Sequence, residues 1–150
     1  MNFDGVIFKE MGPVGLGVVI RDSKGIVIGA LAEQIPLPNS VAIVEALACR
    51  RAVLFAKEMS ICEATYEGDA ETVTNALKDE GSNHPKFGHV INDSLVLASD
   101  FCFCSFSHVK RFGNSVAHFL ARKSKFGNEL QVWIESILDN IAPLVPCDSL

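Results

Sequence analysis

The sequence lacks any apolar run long enough to cross a membrane. Although 49% of its 150 residues are hydrophobic, its longest apolar stretches have the length of a strand, whereas a membrane-spanning helix needs about 20 such residues. It also lacks the basic and then apolar opening of a signal peptide, because Asp4, Lys9 and Glu10 interrupt the apolar residues there. We therefore expect one soluble intracellular domain with a proper core, in the nucleus or the cytoplasm and not secreted.

An excess of basic residues is missing as well. The formal net charge is −5 at pH 7 and the isoelectric point is about 5.3, which does not suggest a stand-alone nucleic-acid binder. The cations are unevenly distributed, since residues 108–125 contain five Lys and Arg but no carboxylate. That segment is the one place that would attract a phosphate backbone, although on charge alone a solvated helix face is the better explanation.

The five cysteines include no pair with the C-x-x-C spacing of a zinc or redox site. Cys102 and Cys104 lie two residues apart, so on a strand they would point to the same face, as small core residues do. We therefore predict structural thiols and no zinc site.

Hydrophobic patterns predict an α/β fold. The first three strands are expected at residues 1–8, 14–22 and 25–33, and a short polar turn joins the last two as a hairpin. Helices and strands then alternate, with helices at about 41–58, 70–79, 87–99 and from Asn114, and strands at 63–68 and 101–111. The segment "LQVWIESIL" is predicted as one more short helix. This order predicts a five-stranded mixed sheet, its first three strands antiparallel, flanked by helices.

Gly15 and Gly17 leave one face of the second strand nearly bare, since they alternate with Leu16 and Val18. Glycines inside a strand indicate either a bulge or the close approach of another part of the structure. The sequence alone leaves both alternatives open.

Three acidic residues stand where an unpaired charge is costly or unexpected. Asp4 lies among Phe3, Val6 and other apolar residues of the first strand, where burial of a lone carboxylate costs several kcal/mol. Glu45 shares its helix face with small and apolar residues, so it points toward the protein. Asp69 stands where a strand ends and a helix begins. Each has an ordinary explanation: Asp69 as a helix N-cap, Glu45 as the partner of an arginine, and Asp4 as the cap of a turn.

Together the three acids indicate a metal site. Carboxylates gathered at partly buried positions repel one another unless a cation lies between them. Mg²⁺ binds through a few carboxylates plus water and substrate phosphate. Two such ions about 4 Å apart can hold the attacking water and the leaving oxygen of a phosphodiester in line. Metal binding would therefore explain a charged Asp4 inside a strand.

Four motifs, "NFDG", "VEALACRRAV", "YEGDAETV" and "SHVKRFGNSVAHFLAR", resemble the successive motifs of type 1 ribonuclease H domains. More narrowly, they resemble the plant reverse-transcriptase-like group related to non-LTR retrotransposons. The resemblance covers residues 1–125, and residues 126–150 are expected to be a C-terminal helix and tail, in the same structural unit or loosely attached. It implies an RNase H-like fold and endonucleolytic hydrolysis of the RNA strand of RNA–DNA hybrids. The implied cofactor is two Mg²⁺ ions, for which Mn²⁺ can substitute, held by Asp4, Glu45 and Asp69.

His118 departs from the family pattern, because the family has its fourth carboxylate at this position. Imidazole suits transition metals better than Mg²⁺, so three interpretations stay open. His118 contacts the water shell of the metal or assists proton transfer; metal binding is weaker and activity low; or catalysis is lost and a binding fold remains. A purely structural role in the first turn of the last helix is the simplest alternative.

Candidate contacts to nucleic acid are Gly5, Ser40 and Arg111. Gly5 would let a backbone approach closely, Ser40 could donate to a phosphate at the start of the first helix, and Arg111 opens the basic segment. Each is explained equally well as a turn residue, a cap or a solvated charge.

The sequence lacks two features that help related nucleases, a histidine in the loop before the last helix and a basic helix after Asp69. The loop "RFGN" before the last helix contains no histidine, and residues 78–100 contain only Lys78 and Lys86 as basic residues. We therefore expect the substrate to be held loosely unless a protein partner or an upstream domain helps. The alternative function is a weak or inactive RNase H-like module that binds nucleic acid or a protein, such as a retrotransposon remnant.

Overall fold

The first three strands form an antiparallel meander, as the sequence predicts. In the computed structural model, which describes residues 1–8, 12–79, 84 and 86–134, these strands are β1 (Asn2–Ile7), β2 (Val14–Arg21) and β3 (Val27–Ile35). Antiparallel pairing joins β1 to β2 and β2 to β3. Asp4 pairs with Gly17 across the first of these ladders, so the acidic side chain and the bare glycine share one face of the sheet.

Helices and strands alternate after the meander, close to the predicted bounds. They are α1 (Val44–Glu58), β4 (Glu63–Gly68), α2 (Glu71–Lys78), α3 (Gly88–Ala98), β5 (Phe103–His108) and α4 (Ser115–Lys123). Short 3-10 turns precede two of the helices, at Val41–Ile43 before α1 and at Arg111–Asn114 before α4. None of these described helices is long and apolar enough to span a bilayer.

A sixth strand, β6 (Leu130–Ile134), replaces the predicted last helix. It pairs antiparallel with β3 and completes a sheet of order β5-β4-β1-β2-β3-β6. Its side chains alternate in exposure, and Trp133 packs against the core. The helix prediction is wrong for these residues because "LQVWI" alternates with the period of a strand and contains residues that favour strands. The rest of the predicted helix, residues 135–138, lies outside the described residues.

The sheet separates two cores. Leu16, Val18 and Ile20 of β2 face the larger core, which α1, α2 and α3 cover. Val19 faces the smaller core with Leu120 of α4. This alternation follows from the two-residue period of a strand. The acid at position 4 therefore lies on the α4 face, one residue away from Phe3, which faces the larger core.

Gly15 and Gly17 mark the close approach of α4. A Cβ atom added to Gly17 would lie 2.1 Å from the carbonyl oxygen of Ala117, and one added to Gly15 would lie 2.1 Å from that of Ala121. The helix backbone therefore rests directly on the backbone of β2. Of the two alternatives that the sequence left open, close approach by another element is the correct one.

We expect Gly17→Ala to destabilise the fold by about 3 kcal/mol, since the new methyl group has nowhere to go unless α4 moves away from the sheet. The free energy of unfolding, measured by urea denaturation, tests this. Gly113→Ala is the matched control because its nearest contact would be Val109 Cβ at an ordinary 3.9 Å. Equal stability of the two variants would show that α4 does not rest on Gly17.

Candidate metal centre

Strand register brings Asp4 and Asp69 together. The parallel strands β1 and β4 pair Asn2 with Glu67, so two residues farther along each chain Asp4 lies opposite Asp69. The hydrogen-bonded pairing of β1 with β4 ends before this point. Ligand sites in α/β proteins form in crevices of this kind, at the carboxyl ends of neighbouring parallel strands.

Glu45 reaches the same crevice from the first turn of α1. A Cβ atom on Gly5 would lie 2.5 Å from Val44 Cγ1, so only a glycine lets the start of α1 come this close to β1. The backbone N–H of Gly5 then donates to Glu45 Oε1 at 3.2 Å. The sequence prediction that Glu45 points inward is therefore confirmed, and Gly5 fixes where its carboxylate lies.

The three carboxylates converge. One oxygen each of Asp4, Glu45 and Asp69 lies within 4.8 Å of the others. Asp4 is only 3% exposed, and the other two are half-buried. Three acids, one inside β1, one after the end of β4 and one on α1, therefore form one cluster, as the metal-site hypothesis requires.

Two of the ordinary explanations, a helix cap at Asp69 and an ion pair of Glu45 with Arg50 or Arg51, do not fit the structure. Ala70, not Asp69, is the N-cap of α2. Arg50 pairs with Asp93, and Arg51 pairs with Glu33 and Glu58. Arg111 forms an ion pair with the cluster, and its Nε lies 3.8 Å from Asp69 Oδ2 on a side chain that is 85% exposed.

Nearby positive charges only partly offset the negative charges of the three carboxylates. Burial, followed by the nearby charges of Asp4 and Asp69, raises the pKa of Glu45 from 4.5 to about 10. Burial and then Asp4 also raise the pKa of Asp69, against opposing effects of Arg111 and His118. Within the described part of the chain, no hydrogen-bond partner reaches the buried Oε2 atom of Glu45.

This donor set fits a hard divalent cation. Its members are carboxylate oxygens, which Mg²⁺ and Mn²⁺ prefer, and the orphaned Oε2 of Glu45 is a buried acceptor without a partner among the described residues. A cation bound between the carboxylates would offset their mutual repulsion and keep Glu45 ionised.

His118 contacts the cluster directly. Its Nδ1 lies 2.7 Å from Asp4 Oδ2, and its side chain is 37% exposed. An Nδ1–H that donates to Asp4 fixes the orientation of this carboxylate. His118 therefore contacts a residue of the acidic cluster, and its role in metal binding or catalysis stays a prediction.

Asn114 positions His118, a role that the sequence analysis missed. Asn114 is fully buried and makes no side-chain cap of α4. Instead, its Nδ2 donates to the carbonyl oxygen of Phe3 at 2.9 Å, and its Oδ1 accepts from Asn2 Nδ2 at 3.1 Å. These bonds tie the start of α4 to β1, so His118, one turn later, meets Asp4. The sequence placed Asn114 only at the start of the last helix, and nothing local distinguishes a cap residue there from this tether.

A comparison with family models shows to which family the chain belongs. Residues 2–124 match the model described as Reverse transcriptase-like. The chain belongs to this family. A comparison of this reverse transcriptase-like chain with curated proteins found no match.

Solved structures similar to this reverse transcriptase-like chain are ribonuclease H domains. Ribonuclease H1 from the halophilic archaeon Halobacterium salinarum NRC-1 matches with a TM-score of 0.75 and 23% identity, over 83% of this chain and 94% of its own. The N-terminal ribonuclease H domain of a Mycobacterium tuberculosis protein gives 0.70 and 22%, over 81% and 88%. LC11-RNase H1 in complex with an RNA/DNA hybrid gives 0.71 and 20%, over 81% and 92%. These likenesses confirm the RNase H-like fold, with six strands instead of the predicted five.

The three predicted nucleic-acid contacts have different surroundings in the structure. The N–H group of Gly5 already donates to Glu45. Ser40 caps the turn before α1, where its Oγ accepts from Ala42 N at 3.3 Å. Arg111 is exposed beside Asp69. Arg111 is thus the one of the three whose side chain faces both solvent and the acidic cluster, and the contacts themselves stay predictions.

Proposed function

We propose that this protein is a divalent-metal-dependent endonuclease that hydrolyses the RNA strand of RNA–DNA hybrids. The observation that carries the proposal is the convergence of Asp4, Glu45 and Asp69, with the buried Oε2 of Glu45 lacking a partner in the described residues. The RNase H-like fold and a fold neighbour crystallised with an RNA/DNA hybrid support the choice of substrate.

Each residue of the cluster has a distinct task. Asp4, inside β1, and Asp69, after the end of β4, would hold Mg²⁺ or Mn²⁺, and Glu45 would hold one ion and orient water from α1. When bound, the ions lower the pKa of water and stabilise charge on the phosphate oxygens. Gly5 keeps the Glu45 carboxylate in place through its N–H group, and His118 fixes Asp4. The exposed guanidinium of Arg111 is placed to meet a phosphate next to the cluster.

A cleavage assay tests the proposal. The full chain is incubated with a hybrid labelled at the 5′ end of its RNA strand, with Mg²⁺, with Mn²⁺ or with EDTA. We expect cleavage with either ion, none with EDTA, and products that carry 3′-hydroxyl and 5′-phosphate ends. Single-stranded RNA and duplex DNA of the same sequence are the controls. Equal cleavage of all substrates would contradict hybrid specificity, and no cleavage with either ion would contradict the enzyme assignment.

A second function, a binding module without catalysis, is favoured by one observation. His118 stands in contact with Asp4 where the related motif has a carboxylate, so the cluster holds three acids. Hybrid binding without cleavage would support this module. In either case, we propose that a protein partner or an upstream domain strengthens substrate binding, since α3 contains no Lys or Arg. The plant retrotransposon-related subgroup and the nuclear or cytoplasmic location stay predictions.

We expect His118→Asp to raise Mg²⁺ affinity about tenfold, because a fourth carboxylate would face the cluster. The same change should lower the melting temperature in EDTA, since it adds a negative charge beside Asp4. Isothermal titration with Mg²⁺ and thermal melts measure the two effects. His108→Asp, at an exposed position at the end of β5, is the matched control. Unchanged Mg²⁺ affinity in His118→Asp would mean that position 118 does not face the ions.

A further inference from the structure

Cys62 and Cys102 lie side by side at the end of the sheet opposite to the acidic cluster. The parallel strands β4 and β5 pair Glu63 with Phe103, and the two cysteines directly precede these partners. They therefore share one register position, where neighbouring chains are about 4.8 Å apart. The backbone N–H of Cys102 donates to the carbonyl oxygen of Cys62 at 2.7 Å.

Both thiols are free and exposed, whereas Cys49 is buried and Cys104 half-buried. The sequence prediction of structural thiols fits Cys49 and Cys104, but it is wrong for Cys102, which points to solvent at the start of β5. A hydrogen bond that the Cys62 thiol donates to the neighbouring Cys102 sulfur, and then the charge of Cys102, raise the pKa of Cys62. The two thiols therefore lie at neighbouring positions that are open to solvent.

We propose that Cys62 and Cys102 are an oxidisable dithiol that closes to a reversible disulfide when the protein meets a peroxide. The spacing of neighbouring parallel strands, about 4.8 Å, falls within the Cα separation that disulfides bridge, about 4.4–6.8 Å. Because both residues precede their strands at the same register, their side chains leave the sheet on the same side. The bond would form with little backbone movement.

The chemistry balances with hydrogen peroxide as the oxidant. One thiolate attacks a peroxide oxygen, which breaks the O–O bond and gives a sulfenic acid and hydroxide. The sulfur of the second cysteine then attacks the sulfenic sulfur, forms the S–S bond and expels the oxygen as water. Two thiols are oxidised by two electrons and one peroxide is reduced to two waters. A small thiol reverses the bond by exchange.

The disulfide would act on stability and leave the acidic cluster unchanged. It would close residues 62–102, which contain β4, α2 and α3, into a loop and thereby restrict the unfolded state. Asp69 follows the far end of the six-residue strand β4, about 20 Å from Cys62 at the rise of a strand. This site therefore does not depend on the proposed nuclease function.

The test uses the reduced full chain, exposed to a small excess of hydrogen peroxide and then alkylated. Mass spectrometry of a tryptic digest should find the peptide of Cys62 joined to the peptide of Cys102, with fragment ions assigning the bond to Cys102. The melting temperature of the oxidised chain should rise by several degrees and return after dithiothreitol. Cys62→Ser should abolish both effects. Cys104→Ser, two residues along β5, is the matched control and should retain both.

Three results would overturn the proposal. The first is oxidation of both thiols without a crosslink, and the second is a bond from Cys62 to Cys104 or between two chains. The third is an equal rise of the melting temperature in Cys62→Ser, since the stabilisation would then come from another oxidised residue. The peptide map of the wild-type chain decides the question even if a serine variant folds poorly.

Discussion

Asp4→Asn should lower the rate of metal-dependent hybrid cleavage by a factor on the order of a thousand. The amide keeps the size of the side chain but removes one of the three negative charges that would hold the ions. Asp4 is also the most central of the three: it is buried in β1, it contacts His118, and its charge raises the pKa of both other acids. Single-turnover cleavage of the labelled hybrid at saturating protein measures the effect.

Two controls separate loss of chemistry from loss of binding or folding. Hybrid binding, followed by fluorescence anisotropy in Ca²⁺, should change little in Asp4→Asn, because phosphate contacts dominate nucleic-acid affinity. Asp93→Asn removes a carboxylate that pairs with Arg50 on an exposed surface, and it should cleave at the wild-type rate. A wild-type rate in Asp4→Asn would remove the acidic cluster from the mechanism.

The parts of the fold that follow local patterns could be predicted from the sequence. The bounds of β4 are the predicted ones, because Thr65 and Tyr66 favour a strand and a helix start follows the segment. Asp4 and Glu45 could be selected because each is an acid at a position whose neighbours are apolar. The partners that surround them depend on register and helix packing, which no local pattern encodes.

Two pairings show where local reasoning fails. Asn114 has the appearance of a helix cap, yet its side chain bonds to β1, and only the docking of α4 on Gly17 makes this possible. Cys62 and Cys102 have no motif spacing, yet parallel pairing of β4 and β5 makes them neighbours. In both cases, the decisive contact joins residues that are distant in sequence, so it is a property of the sheet order.

Glu45→Gln should make the metal-free protein more stable at alkaline pH while it weakens metal binding. The folded-state pKa of Glu45 is raised from 4.5 to about 10, so the folded chain holds a proton that the unfolded chain has released. Stability from this group is fully present below pH 4.5 and is lost as the pH rises toward 10, with a slope of up to about 1.4 kcal/mol per pH unit. Asp69, whose pKa is also raised, acts in the same direction. Glutamine cannot ionise, so Glu45→Gln removes the larger part of the loss of stability with rising pH and leaves the part due to Asp69.

Thermal melts between pH 5 and pH 9 measure the effect, in EDTA and in Mn²⁺. In EDTA, the melting temperature of the wild type should fall with rising pH, and that of Glu45→Gln should fall much less. Mn²⁺ should raise the melting temperature of the wild type more as the pH rises, because ion binding must displace the Glu45 proton. Mn²⁺ should raise the melting temperature of Glu45→Gln only a little. Glu63→Gln, an exposed position at the start of β4, should follow the wild type in both media. Parallel pH profiles of Glu45→Gln and the wild type in EDTA would mean that Glu45 is ionised without a metal, and the electrostatic case for a cation between these carboxylates would then fail.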